Sequence, residues 1–400
     1  MIPGNVVDVA TGTASNWNGA IIIDGRYITD HYPGIGRYVF NLVKALATVA
    51  PEQRLGLLVN RDQQQTRFDF RALESRGVAL VPTSASPRSL RGQLAVRRTC
   101  RHLSPALFHA PHILSAGRLS CPSLVTIHDL IPIRGPGALS SIRHRLLYRL
   151  LLRRALASAT GVITPSRAVG HDLRVVWGVS SEWITVVPEA ADPSFRPAPP
   201  EQIAAVRARL GLPERYVLYV GTNRPHKNLP RLVEAWAGVA EERRDGCRLV
   251  IAGPEDRRYP GARQRARMLN HGAVLFPGTI QEGDLSALYS GAQLVVQPSL
   301  CEGFGLPVIE AMACGAPVAC SRTPALDETS GGAALQFDPT SVAEMSTAID
   351  RVLNEEDLRA RLVSRGFKRA GEFSWARTAA LTLGAYRKAG RQLETRGHGS

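Results

Sequence analysis

The stretch from Gln293 to Cys320 constrains the fold of this chain more than any other. An apolar run, Gln293-Leu294-Val295-Val296-Gln297-Pro298-Ser299, leads into Cys301-Glu302-Gly303-Phe304-Gly305-Leu306-Pro307-Val308-Ile309-Glu310-Ala311-Met312-Ala313-Cys314-Gly315, and Ala316-Pro317-Val318-Ala319-Cys320 follows. This order reads strand, glycine-rich turn, helix, strand. Gly303 and Gly305 permit close backbone approach, and Pro307 suits the first turn of a helix. The start of that helix offers free N–H groups and a partial positive charge to an anion. Glu302 is expected to project from the loop, and Glu310, about two turns into the helix, to reach the polar edge of the same ligand. An anion plus two acceptors for hydroxyls suggests a phosphorylated sugar. A plain βαβ unit with a glycine turn and unrelated acids is the competing reading.

Strand and helix signals alternate through the rest of the chain. Ala20 to Asp24 suits a buried first strand, and Pro33-Gly34-Ile35-Gly36-Arg37-Tyr38 then precedes Val39, Leu42, Val43 and Leu46 at helical spacing. Gly34 and Gly36 fit either a tight structural turn or a loop that lets a phosphate approach. Further strands are expected at 55–59, 78–81, 107–109, 124–127, 161–164 and 184–188, an alternation that argues for a parallel sheet wrapped by helices. His128-Asp129 follows the strand at 124–127, and open α/β sheets bind ligands beyond the carboxyl ends of their strands. A satisfied structural histidine is the alternative for His128. Asp129 suits ring orientation or a helix cap.

Four prolines between Asp192 and Pro200 read as a linker. Beyond it Tyr216 to Gly221 restarts as a buried strand, followed by Thr222-Asn223-Arg224-Pro225-His226-Lys227-Asn228. Arg224 and Lys227 on one strand-to-helix loop make a diphosphate clamp, Arg suited to bidentate contact and Lys to a point charge. Solvated loop charge is the plainer explanation. The domain reading is an extension at 1–19, a first domain at 20–195, a linker and lead-in at 196–213, a second domain at 214–376, and a closing helix with a frayed tail at 377–400.

From Glu302 to Val318 the chain resembles, nearly position for position, the Glu-x7-Glu signature of the retaining glycosyltransferases of family 4. The G-I-G-R-Y, H-D-L-x-P and Lys227-Asn228 elements resemble the same family. That resemblance implies a GT-B fold, two Rossmann-like α/β domains facing across a cleft, with the last helix crossing back to the first domain. It also implies transfer of a hexose from a nucleoside-diphosphate sugar with retention of anomeric configuration. On it, Lys227 and Arg224 neutralise the leaving diphosphate, although His226 stands where relatives often carry arginine and Arg224 comes two residues early. Glu302 would hold sugar hydroxyls, Glu310 the ribose, His128 the transferred sugar, and Gly34 and Gly36 the diphosphate or acceptor. The backbone around Gly303, Phe304, Gly305 and Leu306 would complete the donor site. No cofactor and no metal is expected. The donor could be a GDP-, UDP- or dTDP-sugar and the acceptor a glycan or polyprenyl-diphosphate-linked sugar, as in mannosyl- or rhamnosyltransferases of surface-polysaccharide assembly.

Charge adds one feature. The chain carries a formal net charge of +15, and residues 88–154 hold twelve arginines against a single acid, Asp129. Ile142 to Ala157 is expected as a basic amphipathic helix, with Leu146, Leu147, Leu150 and Leu151 packed on one side and Arg145, Arg149 and Arg153 in a stripe on the other. The Arg88–Arg154 region then either is a solvated face or meets an anionic membrane surface. Nucleic acid is not expected, since no recognition helix, aromatic platform or zinc motif accompanies the charge. The start lacks a signal-like sequence and no apolar run nears eighteen residues, so the expectation is a cytoplasmic chain, peripheral on the inner membrane face if the arginines act there. The six cysteines show no C-x-x-C pair and read as reduced packing residues. Three rival functions are carried: a paired-carboxylate glycosidase, disfavoured because Glu310 should sit by the nucleotide; a sugar-nucleotide epimerase on the same fold; and a non-catalytic anionic-lipid-binding protein.

Overall fold

The computed structural model describes residues 17, 19–29, 33–60, 68–83, 85–87, 89–114, 117–134, 141–244, 246–269 and 274–397. Most of the expected extension at 1–19, Arg88 and the last three residues lie outside the described residues. The end of that extension is not frayed: Trp17 is buried, its indole lying over Gly56, where a side chain would collide with it.

The chain divides into two compact units. One takes the described residues up to Asp129, those of Ser141–Glu189 and those from Trp375 on; the other takes Leu130–Arg134 and the described residues of Ala190–Ser374. The first holds seven strands, β1 (Ile21–Asp24), β2 (Leu55–Asn60), β3 (Ala79–Thr83), β4 (Leu107–Ala110), β5 (Ser123–Thr126), β6 (Gly161–Thr164) and β7 (Ile184–Val186). They pair parallel in the order β3-β2-β1-β4-β5-β6-β7. The second holds β8 (Tyr216–Val220), β9 (Arg248–Ala252), β10 (Val274–Gly278), β11 (Leu294–Gln297), β12 (Val318–Ser321) and β13 (Leu335–Phe337), parallel in the order β10-β9-β8-β11-β12-β13.

Parallel sheets covered on both faces need strands that are apolar on both sides, which is why these runs do not alternate. In β8, Tyr216 and Leu218 enter one buried cluster and Val217 and Tyr219 the other. Each sheet reverses direction once, between β1 and β4 and between β8 and β11. Such switch points leave a crevice at the strand carboxyl ends.

In the first unit, helices α1 (Pro33–Val49), α2 (Leu90–Leu103), α3 (Ile142–Ser158) and α4 (Arg167–Trp177) cross between strands. Gly34 and Gly36, expected in a turn ahead of the helix, instead lie in the first turn of α1. Gly36 is packed so that a Cβ would stand 3.0 Å from the Tyr27 carbonyl oxygen, whereas Gly34 has open space around it. The packing expected for α3 is also corrected. Leu146, Leu147 and Leu150 are 56%, 52% and 63% exposed, and the helix buries Leu152 and Ala155 instead. Arg145 is half-buried and leaves the outward stripe.

The proline-rich stretch is no free linker. Phe195 is buried edge-on to Tyr289 at 5.9 Å, the Ala198 N–H donates to Ser290 Oγ at 3.0 Å, and Pro200 opens helix α5 (Pro200–Leu210) inside the expected lead-in. Proline fixes φ near the values that an extended strap and a first helical turn both need. In the second unit α6 (Leu306–Ala313) follows β11, and the chain ends in α7 (Trp375–Gly397), which packs on α1 in the first unit.

At the first sheet's switch point, Asp24 closes a buried pair with Arg26. Nε donates to Oδ1 at 2.8 Å and Nη2 to Oδ2 at 2.7 Å, while Nη1 donates to the Ala85 and Gly92 carbonyls at 3.2 and 3.1 Å. One guanidinium thus ties β1 to the segment that starts α2. Asp24→Ala strands that buried cation and is expected to cost about 3–5 kcal/mol, read as a lower denaturant midpoint at unchanged m-value.

Candidate functional site

The switch point of the second sheet gathers most of the charged residues singled out above. Lys227 arrives on the loop after β8 and Glu302 on the loop after β11, the two strands between which the order reverses. Lys227 Nζ stands 2.6 Å from Glu302 Oε1. Gln297 Nε2 donates to the same oxygen at 2.8 Å and Ser299 Oγ at 2.7 Å. Among the described residues no protein donor claims Glu302 Oε2, which leaves that oxygen to accept from a ligand. Burial opposes the Glu302 charge, but the Lys227 ammonium and the Ser299 hydroxyl outweigh it and hold the carboxyl below its ordinary value.

Asn228 fixes the approach of the two loops. Its backbone is left-handed at φ +60, a conformation that asparagine tolerates better than other residues with a Cβ. Its Nδ2 donates to the Pro298 and Pro339 carbonyls at 3.1 and 2.8 Å, and the Leu300 N–H donates to the His226 carbonyl at 2.8 Å. His226 is buried, and desolvation together with the Lys227 charge lowers its pKa to about 4, so its imidazole is neutral at physiological pH. Arg224 precedes this turn with its side chain exposed. The lysine is therefore built into the site, and the arginine stands on its open side.

Gly305 is required at the start of α6. Its φ is +104, and a Cβ would come 2.5 Å from Leu326 Cδ2. Phe304 turns away from the loop into the core, edge-on to Phe373 at 5.5 Å, so only its backbone can serve a ligand there. Leu306 is half-buried at the first position of α6 and Gly303 is buried. Glu310 is buried one level further in, where its Oε2 accepts from the Tyr289 hydroxyl at 3.0 Å. Beside these, Gly221, Gly253 and Gly278 end β8, β9 and β10, and the first two approach so closely that a Cβ on Gly253 would meet the Gly221 carbonyl oxygen at 2.1 Å. A narrow pocket of about 30 Å³ opens there, lined in part by Asn223, Glu255, Arg263 and Phe276.

His128 belongs to the first unit. It follows β5; its Nδ1 pairs with Glu189 Oε1 at 3.0 Å and its Nε2 lies 3.0 Å from the Pro111 carbonyl oxygen. The Tyr38 ring meets it edge-on at 4.8 Å. Behind it, His109 is buried between the Tyr386 and Thr126 hydroxyls, each at 2.8 Å. Burial opposes a charge on His128, and the Glu189 hydrogen bond and charge more than restore it, so its pKa lies above the ordinary histidine value. Glu189, Gln297 and Ser299 were not singled out from the sequence. The position of Glu189 just past β7, and of the other two at the end of β11, is the strand-end signal that would have found them.

A histidine whose folded pKa is raised adds stability that is fully present below the unfolded value, about 6.5, and is lost as pH rises through the folded one. Glu189→Gln is expected to move the His128 titration down and to remove that part of the pH–stability curve. Imidazole NMR titration and denaturant melts at pH 5 to 9 check both, and an unmoved His128 titration would overturn the pairing.

Two family models match the chain, one described as Glycosyl transferases group 1 over residues 203–369 and one as Glycosyltransferase Family 4 over residues 32–195. Among curated relatives, the O-antigen chain mannosyltransferase B of Escherichia coli is 29% identical over 89% of this chain and 97% of its own length. A sucrose-phosphate synthase from Thermosynechococcus elongatus superposes with a TM-score of 0.74 at 24% identity, covering 92% of this chain and 98% of that one. HepE of Anabaena, solved with UDP and glucose, follows with a TM-score of 0.72 at 19% identity, over 91% and 98% of the two chains. These two structures carry the fold, and the models and the mannosyltransferase carry the lineage: the chain belongs to glycosyltransferase family 4 and has the GT-B fold.

Proposed function

We propose that this glycosyltransferase, similar to enzymes of polysaccharide biosynthesis, moves a mannosyl or related hexosyl group from a nucleoside-diphosphate sugar to a hydroxyl of a glycan or lipid-linked acceptor, with retention at the anomeric carbon. The observation that carries the reading is the Glu302 carboxylate at the switch point, one oxygen held by Lys227, Gln297 and Ser299 and the other left to accept. GDP-mannose is placed first because O-antigen chain mannosyltransferase B is among the relatives matched over nearly their full length. A UDP- or dTDP-sugar is the next choice.

In this reading Glu302 Oε2 accepts from hydroxyls of the donor sugar. The bond between the anomeric carbon and the phosphate oxygen breaks while the acceptor oxygen attaches on the same face, and the acceptor proton passes to the departing diphosphate. Negative charge building on that diphosphate is met by Lys227, by Arg224 and by the N–H groups at the start of α6, charges and dipoles fixed before the reaction begins. Glu310, oriented by Tyr289, takes the ribose, and His128, oriented by Glu189, takes the transferred sugar by exchanging its Nε2 contact with the Pro111 carbonyl for a sugar hydroxyl. The backbone groups at Gly221 and Gly253 are offered to the base. Gly34, in open space at the start of α1, takes the diphosphate or acceptor, while Gly36 serves by packing. Charge neutralisation rests on the cations named, and the reading calls on no metal. No helix among the described residues is long and apolar enough to cross a membrane. The proposal keeps the reaction cytoplasmic, with a lipid-linked acceptor bringing the enzyme to the inner membrane face.

The test is acceptor-dependent release of GDP from GDP-mannose in the presence of an oligomannoside, with the anomeric configuration of the product read by NMR. Lys227→Ala and Glu302→Gln are each expected to lower kcat/KM by about 10²–10³-fold at unchanged fold by circular dichroism. An isomerised sugar nucleotide formed without acceptor would favour the epimerase. An inverted product would sink retention, and turnover with no GDP-, UDP- or dTDP-sugar would sink the transferase reading itself.

A further inference from the structure

One face of the first unit carries an apolar and basic surface that glycosyl transfer does not use. The chain steps in one direction through β3 to β4, β5 to β6 and β6 to β7. Right-handed crossovers therefore set α2, α3 and α4 on the same face of the sheet. These helices contain eleven arginines and one acid, Asp172. They also hold eight of the eleven large apolar side chains that are exposed among the described residues, so the exposed apolar surface is gathered here and not scattered.

The two properties interleave. On α3 the outward side presents Ile142, Leu146 and Leu150 at four-residue spacing, with Arg149 and Arg153 beside them. On α2, Leu90 is 75% and Leu94 49% exposed, next to exposed Arg91 and Arg98. The Arg97 side chain of α2 and the Arg154 side chain of α3 both converge on Gly117. Beside the same carboxyl-terminal end of α3 a cleft of about 540 Å³ lies between α3 and the end of α4, walled by Arg153, Leu156, Val176, Trp177 and Trp183. The Arg153 guanidinium sits 5.8 Å from the Trp177 ring centre, and the buried Trp177 Nε1–H has no acceptor among the described residues.

We infer that this face docks on an anionic lipid bilayer, with the leucines of α3 entering the headgroup region, the arginines meeting lipid phosphates and the tryptophan cleft seating a lipid at the level of its ester groups. Leucines ringed by arginines are what an interfacial helix needs, and indoles favour the boundary between apolar and wet surroundings. The charge argues against a second copy of this chain as the occupant, because pairing the face with itself would oppose cation to cation with no acid on α2 or α3 to relieve it. The inference rests on the proposed function only for its purpose, which is to hold the enzyme where a lipid-linked acceptor lies.

The experiment is flotation of the full chain with vesicles of phosphatidylcholine alone or mixed with phosphatidylglycerol, without donor or acceptor, so that its failure is separate from failure of the transferase reading. Binding is expected only to the anionic vesicles, falling with salt and by about five-fold for each of Arg149 and Arg153 replaced by alanine. Leu146→Asp/Leu150→Asp should abolish it while leaving the thermal melt unchanged, since both side chains are already exposed. Brominated lipids should quench the intrinsic fluorescence through Trp177 and Trp183, because Trp17, Trp236 and Trp375 are buried. Equal binding by the leucine variant, or absence of quenching, would overturn the insertion. A dimer in sedimentation that the leucine variant dissolves would assign the face to self-association instead.

Discussion

The second unit is organised around a largely buried charge pair at the point where its sheet reverses. Taking Lys227 and Glu302 out of water is costly, and the cost is offset only because two further donors and a fixed backbone complete the arrangement. The Gln297 and Ser299 groups reach the same carboxylate oxygen, and Asn228 stitches the lysine loop to the strand end that carries the acid. The turns around Gly305, Gly221 and Gly253 are placed by the same requirement, that backbone approach closely at the strand carboxyl ends. A site so supported holds its charges before any ligand arrives, the condition under which electrostatic stabilisation is most effective.

The first unit repeats the design with a different outcome. Its switch point holds the structural Asp24 and Arg26 pair, while the carboxylate-paired His128 stands one strand further along. His128 is fixed by Glu189, the Pro111 carbonyl and the Tyr38 ring, and the layer behind it contains His109, Thr126 and Tyr386. The last helix supplies Tyr386, and Thr378 of that helix donates to the Pro188 carbonyl at 2.7 Å, next to Glu189. The final segment of the chain thereby helps hold the ring that follows β5.

Much of this was legible in the sequence. Unbroken apolar runs located every strand named from them, since a parallel strand buried on both faces cannot be polar on either. Gly305 and the Lys227-Asn228 pair were legible because a left-handed turn and a short cationic loop each demand particular residue types. Illegible were the residues that act by where they end up. Glu189 is separated from His128 by 61 residues and Gln297 looks like the end of an apolar run. The leucines of α3 were misread for the same reason: helical spacing says which side chains share a face, not whether that face is covered. The prolines after Asp192 were read by composition as a loose linker, but hydrogen bonds to Ser286 and Ser290 bind the stretch to the second unit.

By itself the sequence determined two parallel α/β sheets, the glycine-rich turn with its two glutamates and the cationic loop, all set by local residue type and spacing, and its motifs carried the resemblance to the family. Tertiary structure alone decided which oxygen of Glu302 is occupied, that Lys227 and not Arg224 is built into the site, that His128 has a carboxylate partner, and that a row of leucines faces outward among arginines. Those facts depend on pairings between residues far apart in the chain and on what covers a surface, and neither is encoded in the pattern of any single segment.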